Sequence, residues 1–306
     1  MQPENRRTAD APHAPFRYLP AALAEAVQRL AIRVRRPVRG RGEGLHRSPD
    51  FGASVEFAEY REYTPGDLPA RIDWAVYART DRYLVRRFEE ETSLQATLAL
   101  DTSGSLGFRD AGPLTKLEFA CYLAAGLTYA LTRQGDAAGL CTFTDRVERH
   151  LPPAATLTGL RPLLEALETL EARGRSDIGT ALQQIADRLP ARSLVIVISD
   201  FLQEADRIVR GLRRLDHDGH NLILLHVIDG GERALGFAGV TELREIETGR
   251  RLVADVDDVR TAYTRAVERH IETLRRAASD CLGDYHLLDT REPVEAALRR
   301  AGARPV

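Results

Sequence analysis

The feature that most constrains the fold is a short run of branched apolar residues, Leu194–Ser199, that leads directly into Asp200. Its sequence, LVIVIS, is apolar at every position before the final serine, which is typical of a strand buried on both faces. Such strands lie in the centre of parallel sheets, and parallel neighbours need crossover connections that are usually helices. The run therefore predicts an α/β domain built around a parallel sheet.

The central and C-terminal sequence alternates between strand and helix patterns in the same way. A second buried strand, Leu94–Asp101, precedes an amphipathic helix over Pro113–Arg133. This order is typical of units that build a doubly wound, mostly parallel sheet with helices on both faces. Further strands are predicted over Ala138–Phe143, Arg146–Leu151, Leu222–Ile228, Val240–Ile246, Arg251–Ala254 and Tyr285–Leu288, and further helices over Leu157–Ala172, Asp177–Leu189, Ala205–Leu215, Val256–Ala278 and Pro293–Ala301.

The first third of the chain has a different pattern. Residues 1–15 are rich in proline, alanine and charge, and we predict a disordered tail there. Residues 16–92 form a smaller helix and strand region, because apolar residues recur at helical spacing over Tyr18–Val34 and alternate with polar residues over Val55–Tyr63. We therefore place the α/β domain at residues 93–306.

Charge and cysteine content narrow the class of protein. The net charge is −2, and the basic stretch between Arg33 and Arg47 lacks interleaved aromatic residues, so we expect no nucleic-acid partner. The three cysteines are far apart in apolar surroundings, which argues against a zinc site or disulfides and favours a reducing compartment. No apolar run reaches the roughly 18–20 residues of a membrane helix, and residues 1–15 do not resemble a signal peptide. We expect a cytoplasmic protein without membrane insertion.

Two predicted strands end in a carboxylate, and this coincidence locates a candidate site. Asp101 and Asp200 both stand at the carboxyl ends of strands, where doubly wound sheets bind ligands. Ser103 and Ser105 follow within the turn sequence DTSGS, and Thr180 opens a later helix. All five side chains offer oxygen, the donor that Mg²⁺ and Mn²⁺ prefer. We therefore predict one divalent cation held by Asp101, Ser103, Ser105, Thr180 and Asp200.

These residues resemble the metal-ion-dependent adhesion site of von Willebrand factor A domains. The run DTSGS, the pair Gly179–Thr180 and the pair Ser199–Asp200 occur in the same order as in that site. Upstream, FGASVEFAEYREYTPGDLPARIDW from Phe51 and ARTDRYLVRRFEEE from Ala78 are similar to the signature of the domain of unknown function 58 (DUF58) family. The resemblance covers Gly40–Asp229. It implies a von Willebrand factor A-like α/β fold in a bacterial or archaeal protein that is often encoded beside a MoxR-type AAA+ ATPase.

The resemblance implies a protein-interaction module rather than an enzyme. A cation at Asp101 would accept an acidic side chain from a partner, and the implied partner is a MoxR-type AAA+ ATPase or its substrate, in chaperone-like assembly. Two alternatives stay open. A metal-assisted hydrolase would need a positioned base or nucleophile, and Ser103 stands where an aspartyl phosphatase has a second aspartate. A structural subunit with a vestigial, metal-free site is the other alternative.

Overall fold

The computed structural model describes residues 16–36, 43–64, 69 and 72–302. The predicted disordered tail, residues 1–15, lies outside these ranges, as do Arg39 and Arg41 of the basic stretch. Within the described ranges, no helix combines the length and apolar character needed to cross a lipid bilayer. The cytoplasmic location stays a prediction.

Strands and helices alternate through the α/β part of the chain in the predicted order. The strands are β1 (Glu43–Glu62), β2 (Leu84–Thr92), β3 (Gln95–Asp101), β4 (Ala137–Phe143), β5 (Val147–Ala154), β6 (Leu194–Ser199), β7 (Asn221–Ile228), β8 (Val240–Arg244), β9 (Arg251–Asp255) and β10 (Asp284–Asp289). The helices are α1 (Ala21–Val27), α2 (Trp74–Thr80), α3 (Lys116–Arg133), α4 (Leu157–Glu168), α5 (Ile178–Ala186), α6 (Ala205–His217), α7 (Gly230–Ala234), α8 (Val256–Asp280) and α9 (Val294–Gly302). A short 3-10 turn, Gly104–Gly107, follows β3.

The central sheet has six strands in the order β10-β7-β6-β3-β4-β5. All neighbouring pairs are parallel except β4 and β5, so β5 is an antiparallel edge strand. From β3 the chain moves outward to β4 and β5, then returns to β6 on the other side of β3. Strand order reverses at this point, which is where doubly wound sheets open a crevice for ligands. The predicted doubly wound, mostly parallel sheet is confirmed.

Alternate residues of the central strands point into two separate hydrophobic cores, as the twofold periodicity of a strand requires. On one face Leu98 and Ile196 pack in a cluster with residues of α1, α3, α4 and α9. On the other face Ala99 and Val197 pack with residues of α5, α6 and α8. Helices therefore cover both faces. Every residue of β6 is buried, which accounts for its uninterrupted apolar sequence.

The first helix is shorter than its periodicity predicts. The apolar spacing predicts a helix over Tyr18–Val34, whereas α1 covers Ala21–Val27. Beyond it, the backbone N–H of Ile32 donates to Gln134 Oε1 at 3.0 Å, and Gln134 Nε2 donates to the carbonyl of Ile32 at 2.9 Å. The side chain of Gln134 thus pairs with both backbone polar groups of Ile32. The apolar side chain of Ile32 is buried although the residue is not helical.

Two residues of the basic stretch have structural partners. Arg35 Nη2 donates to Asp284 Oδ1 at 2.7 Å, and Arg36 Nη2 donates to Asp216 Oδ1 at 2.6 Å. Both contacts attach the segment after α1 to the α/β domain.

The strands β1 and β2 form a separate antiparallel pair that precedes the central sheet. The helix α2 lies between them in the chain. Asp73 caps α2 by accepting from the backbone N–H groups of Ala75 and Val76, and it also accepts from the Tyr60 hydroxyl at 2.8 Å. This carboxylate therefore links the end of β1 to the start of α2.

Candidate functional site

Asp101 and Asp200 meet at the edge of the sheet where strand order reverses. Their strands β3 and β6 are hydrogen-bonded parallel neighbours, with Leu100 opposite Ile198. Both carboxylates are enclosed, since Asp101 is 0% and Asp200 2% exposed. Burial of two carboxylates of like charge at the ends of neighbouring strands costs free energy unless a positive charge compensates it. This arrangement therefore marks a specialised site.

The loop after β3 aims its side chains back at Asp101. The Ser103 backbone N–H donates to Asp101 Oδ1 at 2.9 Å, and the hydroxyls of Ser103 and Ser105 lie 3.2 Å apart. The segment between α4 and α5 holds this loop in place, because the Gly104 N–H donates to the carbonyl of Gly174 at 3.0 Å. A Cβ on Gly104 would lie 3.1 Å from that same oxygen, which explains a glycine between the two serines.

A serine outside the predicted ligand set also reaches the site. The Ser176 hydroxyl donates to Asp101 Oδ2 at 3.4 Å, and the Ser199 hydroxyl donates to the same oxygen at 2.7 Å. Ser176 comes from the loop between α4 and α5, so a third segment of chain joins the β3 and β6 ends. In the sequence, the only indication of a role for Ser176 is its position immediately before Asp177, the residue that caps α5.

Thr180, by contrast, is directed to a different partner. Its hydroxyl donates to Asp177 Oδ2 at 3.1 Å, and its side chain is exposed. It lines a separate cavity of about 240 Å³ with Gln183, Arg207 and other residues of α5 and α6. The structure therefore brings together Asp101, Ser103, Ser105 and Asp200, but it places Ser176, rather than Thr180, against Asp101.

A buried lysine supplies positive charge on the other side of Asp200. Lys116, at the first turn of α3, is 0% exposed, and its ammonium donates to Asp200 Oδ2 at 2.8 Å. The same ammonium donates to both carboxylate oxygens of Glu232, at 3.0 and 2.8 Å. Sequence reasoning missed Lys116 and Glu232, although Lys116 is the only lysine in the chain. Its isolation among so many arginines was the available signal.

The two aspartates differ in electrostatic environment. Burial, and secondly the charge of Asp200, raise the pKa of Asp101 to about 7. Burial also works to raise the pKa of Asp200, but the ammonium of Lys116 outweighs it and holds that pKa below its ordinary value. Asp200 is thus compensated within the protein, whereas Asp101 faces only hydroxyl and amide dipoles in the contacts described above.

The donor set decides which ligand this site can hold. Its contacting atoms are carboxylate and hydroxyl oxygens, which suit a hard divalent cation such as Mg²⁺ or Mn²⁺ and do not suit zinc in a closed site. Over the described ranges, no group of three or more His, Cys, Asp or Glu side chains is arranged to hold a metal. A cation here would therefore depend on the serine hydroxyls as well as on the carboxylates.

A cavity of about 570 Å³ extends from the site to the strand pair formed by β8 and β9. Ser105 and Glu232 line the end nearest the site. Its walls are largely apolar, and the residues that form them include Phe108, Leu202, Leu235, Phe237, Leu243, Ile246, Leu252 and Tyr263. Leu202 and Ile246 are about half exposed, at 51% and 50%, so the cavity opens to solvent beside the candidate ligands.

Several known proteins are similar to this chain. An uncharacterized protein of Mycobacterium tuberculosis and one of Mycobacterium bovis are each 27% identical over 263 residues, which is 85% of this chain and 82% of each relative. Among solved structures, the hypothetical protein BatB from Bacteroides thetaiotaomicron is 18% identical with a TM-score of 0.49, covering 68% of this chain and 97% of BatB. The SpRpn10 VWA domain is 16% identical with a TM-score of 0.40, covering 67% of this chain and 93% of that domain.

The family assignment rests on a longer match within the sequence. Residues 59–273 match the family described as protein of unknown function DUF58. The matched segment runs from the end of β1 to within α8, and it includes all the residues of the candidate site described above. This range is more than half of the chain, so the protein belongs to the DUF58 family.

Proposed function

We propose that this protein is a protein-interaction module whose site at the end of β3 binds one divalent cation and, through it, an acidic side chain of a partner. The observation that carries the proposal is the convergence of serines from three separate segments of the chain on the buried Asp101. Ser103, Ser176 and Ser199 all donate hydrogen bonds to this carboxylate through backbone or hydroxyl groups.

Asp101, Ser103 and Ser105 would hold the cation directly, with Asp200 completing the set. Among the two candidate hydroxyls on the α5 side, geometry favours Ser176, because Thr180 is engaged by Asp177. When bound, the cation supplies a positive charge that attracts a carboxylate. Other residues of the chain orient these ligands. Lys116 donates a hydrogen bond to Asp200, and the hydrogen bond between Gly104 and Gly174 holds the loop that carries Ser103 and Ser105.

We further propose that the partner is a MoxR-type AAA+ ATPase or a protein on which that ATPase acts. Membership of the DUF58 family supports this partner, since the family resemblance implies such a neighbour. The open cavity beside Ser105 supports a protein partner rather than a small ion alone, because apolar walls next to an ionic site can bury apolar side chains of a bound protein.

The first test is calorimetric titration of the purified protein with Mn²⁺ and Mg²⁺. Asp101→Asn retains an oxygen acceptor for Ser103 but removes the charge, so we expect it to abolish binding of the cation. Asp280→Asn makes the same change at an exposed position at the end of α8 and serves as the matched control. Equal cation binding by the wild type and Asp101→Asn would contradict the proposed site.

A second test addresses the partner. The immobilised protein should retain the purified MoxR-type ATPase of its own organism in Mn²⁺ buffer, and should lose it in chelator or with Asp101→Asn. Retention that is the same in all three conditions would favour the structural alternative with a vestigial site. Metal-dependent release of phosphate from p-nitrophenyl phosphate, abolished by Asp101→Asn, would instead favour the hydrolase.

A further inference from the structure

The strand pair β8–β9, with its connecting turn Glu245–Arg250, reaches back over the candidate site. We call residues 240–255 the β8–β9 hairpin. At its turn, the Glu247 carboxylate accepts from the backbone N–H of Ser176 at 3.3 Å. Glu247 Cγ also lies 3.7 Å from the position that a Cβ on Gly104 would hold. Glu247 therefore contacts one of the loops around the site and lies beside the loop that carries Ser103 and Ser105.

The hairpin is attached at its base and makes separate contacts at its tip. At the base, the Gly239 N–H donates to Asp257 Oδ2 at 3.0 Å and the Val256 N–H donates to the carbonyl of Gly239 at 3.0 Å. Gly239 has a positive φ of 66°, a backbone conformation that favours glycine. Between base and tip lies the cavity of about 570 Å³, so the hairpin spans open space before it touches the site.

Glu247 differs from the other two glutamates of the hairpin. Glu242 is paired with Arg251 on the opposite strand at 3.0 Å, and Glu245 accepts a hydrogen bond from Thr248 within the turn. Glu247 instead receives its hydrogen bond from the loop that carries Ser176. Its side chain is only partly buried, so its carboxylate can turn about the side-chain bonds without moving the backbone.

We propose that Glu247 is an internal ligand of the cation, occupying the coordination position that a partner's acidic side chain takes on binding. This inference rests on the proposed function, because it requires a cation at Asp101. A carboxylate next to a cation held by hydroxyls and two carboxylates is attracted to any position those ligands leave open. The partner's carboxylate therefore competes with Glu247, and binding displaces the hairpin from the site.

The experiment uses Mn²⁺ alone as the probe, with the full chain. Free Mn²⁺ is measured by electron paramagnetic resonance, and water on the bound ion by proton relaxation. Glu247→Gln keeps an oxygen that can accept from Ser176 but removes the charge. We expect it to weaken Mn²⁺ binding on the order of tenfold and to raise the relaxation rate per bound ion, because water replaces the carboxylate. Glu242→Gln, on the same hairpin, should match the wild type in both measurements.

The outcomes separate this inference from the proposed function. If the wild type binds Mn²⁺, Asp101→Asn does not, and Glu247→Gln behaves as Glu242→Gln does, the cation site stands and the role of Glu247 is wrong. If the wild type fails to bind Mn²⁺, both proposals fall. Hydrogen exchange gives an independent readout, since Mn²⁺ should protect the amides of residues 240–255 in the wild type and not in Glu247→Gln.

Discussion

Lys116 is the residue on which the electrostatics of the site depend. It is the only lysine in a chain with 43 basic residues, and its ammonium lies enclosed between Asp200 and Glu232. A compact ammonium can donate to both carboxylates in a space where a planar guanidinium would need more room. Burial works to lower the pKa of this lysine, but the two carboxylates outweigh burial and raise it. The side chain is therefore charged.

Removing this charge should destabilise the fold. We expect Lys116→Met, which retains most of the side-chain volume, to lower the free energy of unfolding by about 3–5 kcal/mol, because it leaves buried carboxylates without their counter-charge. Urea denaturation followed by circular dichroism measures the change. Lys116→Arg keeps the charge and should lose less. A loss below about 1 kcal/mol in Lys116→Met would mean that solvent already screens the cluster.

At the residue scale, the sequence predicts the part of the site that is contiguous with strand ends. Asp101 ends a buried strand, and Ser103 and Asp200 come within two residues of a strand end, so the strand patterns also predict where these residues lie. Ser176 and Glu247 come from loops whose position depends on tertiary packing, and no local pattern indicates that they meet Asp101. Thr180 is predicted as a ligand because of the pair Gly179–Thr180. In the structure its hydroxyl donates a hydrogen bond to Asp177, the N-cap of α5.

At the scale of the element, α3 connects the core with the site. The helix begins with a capping box, in which the Thr115 hydroxyl accepts from the Glu118 N–H and the Glu118 carboxylate accepts from the Thr115 N–H. Lys116 is the next residue, so the cap also holds the ammonium in place beside Asp200. Nearly all of the remaining helix is buried against the sheet and the helices α1, α4 and α9.

Loss of this cap should weaken the fold measurably. Thr115→Ala removes the hydroxyl acceptor, and we expect it to lower the free energy of unfolding by about 1 kcal/mol. Thr273→Ala provides a control at an exposed position within α8, where alanine is the better helix former and should cost nothing. Chemical denaturation of both variants gives the comparison, and equal stability of the two would show that Glu118 alone maintains the helix start.

The strands were easier to predict than the first helix for a physical reason. β6 has the bounds predicted from its sequence, because a strand buried on both faces needs an unbroken apolar run that local composition displays. The end of α1 depends on Gln134, which lies about a hundred positions away in the chain and binds the backbone of Ile32. Helical periodicity alone cannot report a competing hydrogen bond of that kind.

At the scale of the whole molecule, buried histidines couple the fold to pH. His220 is 0% exposed, and its Nδ1 accepts from the Ser193 backbone N–H at 3.3 Å. Burial lowers its pKa below the ordinary value of 6.5, and burial lowers the pKa of His226 to about 3. In the unfolded chain both side chains regain their ordinary pKa. The unfolded state therefore binds more protons as the pH falls below about 6.5.

The histidine contribution to the free energy of unfolding should accordingly be fully present above the unfolded pKa and be lost as the pH decreases towards 5, whereas Asp101, with its pKa raised to about 7, contributes in the opposite direction over the same range. His220→Asn keeps an acceptor for Ser193 but cannot titrate in this range, so the free energy of unfolding of the wild type, measured relative to that of the variant, should decrease between pH 7 and pH 5. Urea denaturation across this range measures both. Identical pH dependence in the two proteins would show that folding does not lower the pKa of His220; the contributions of His226 and Asp101 remain in each.

The position of the chain's one lysine also governs how the folded protein meets reagents that acylate amines. Such reagents attack the neutral amine, and the side chain of Lys116 is both enclosed and held in its charged form. Acylation there requires the start of α3 to separate from Asp200 and Glu232. The rate at which this side chain becomes labelled, measured by mass spectrometry on the peptide that contains Lys116, therefore reports how fast this edge of the sheet opens.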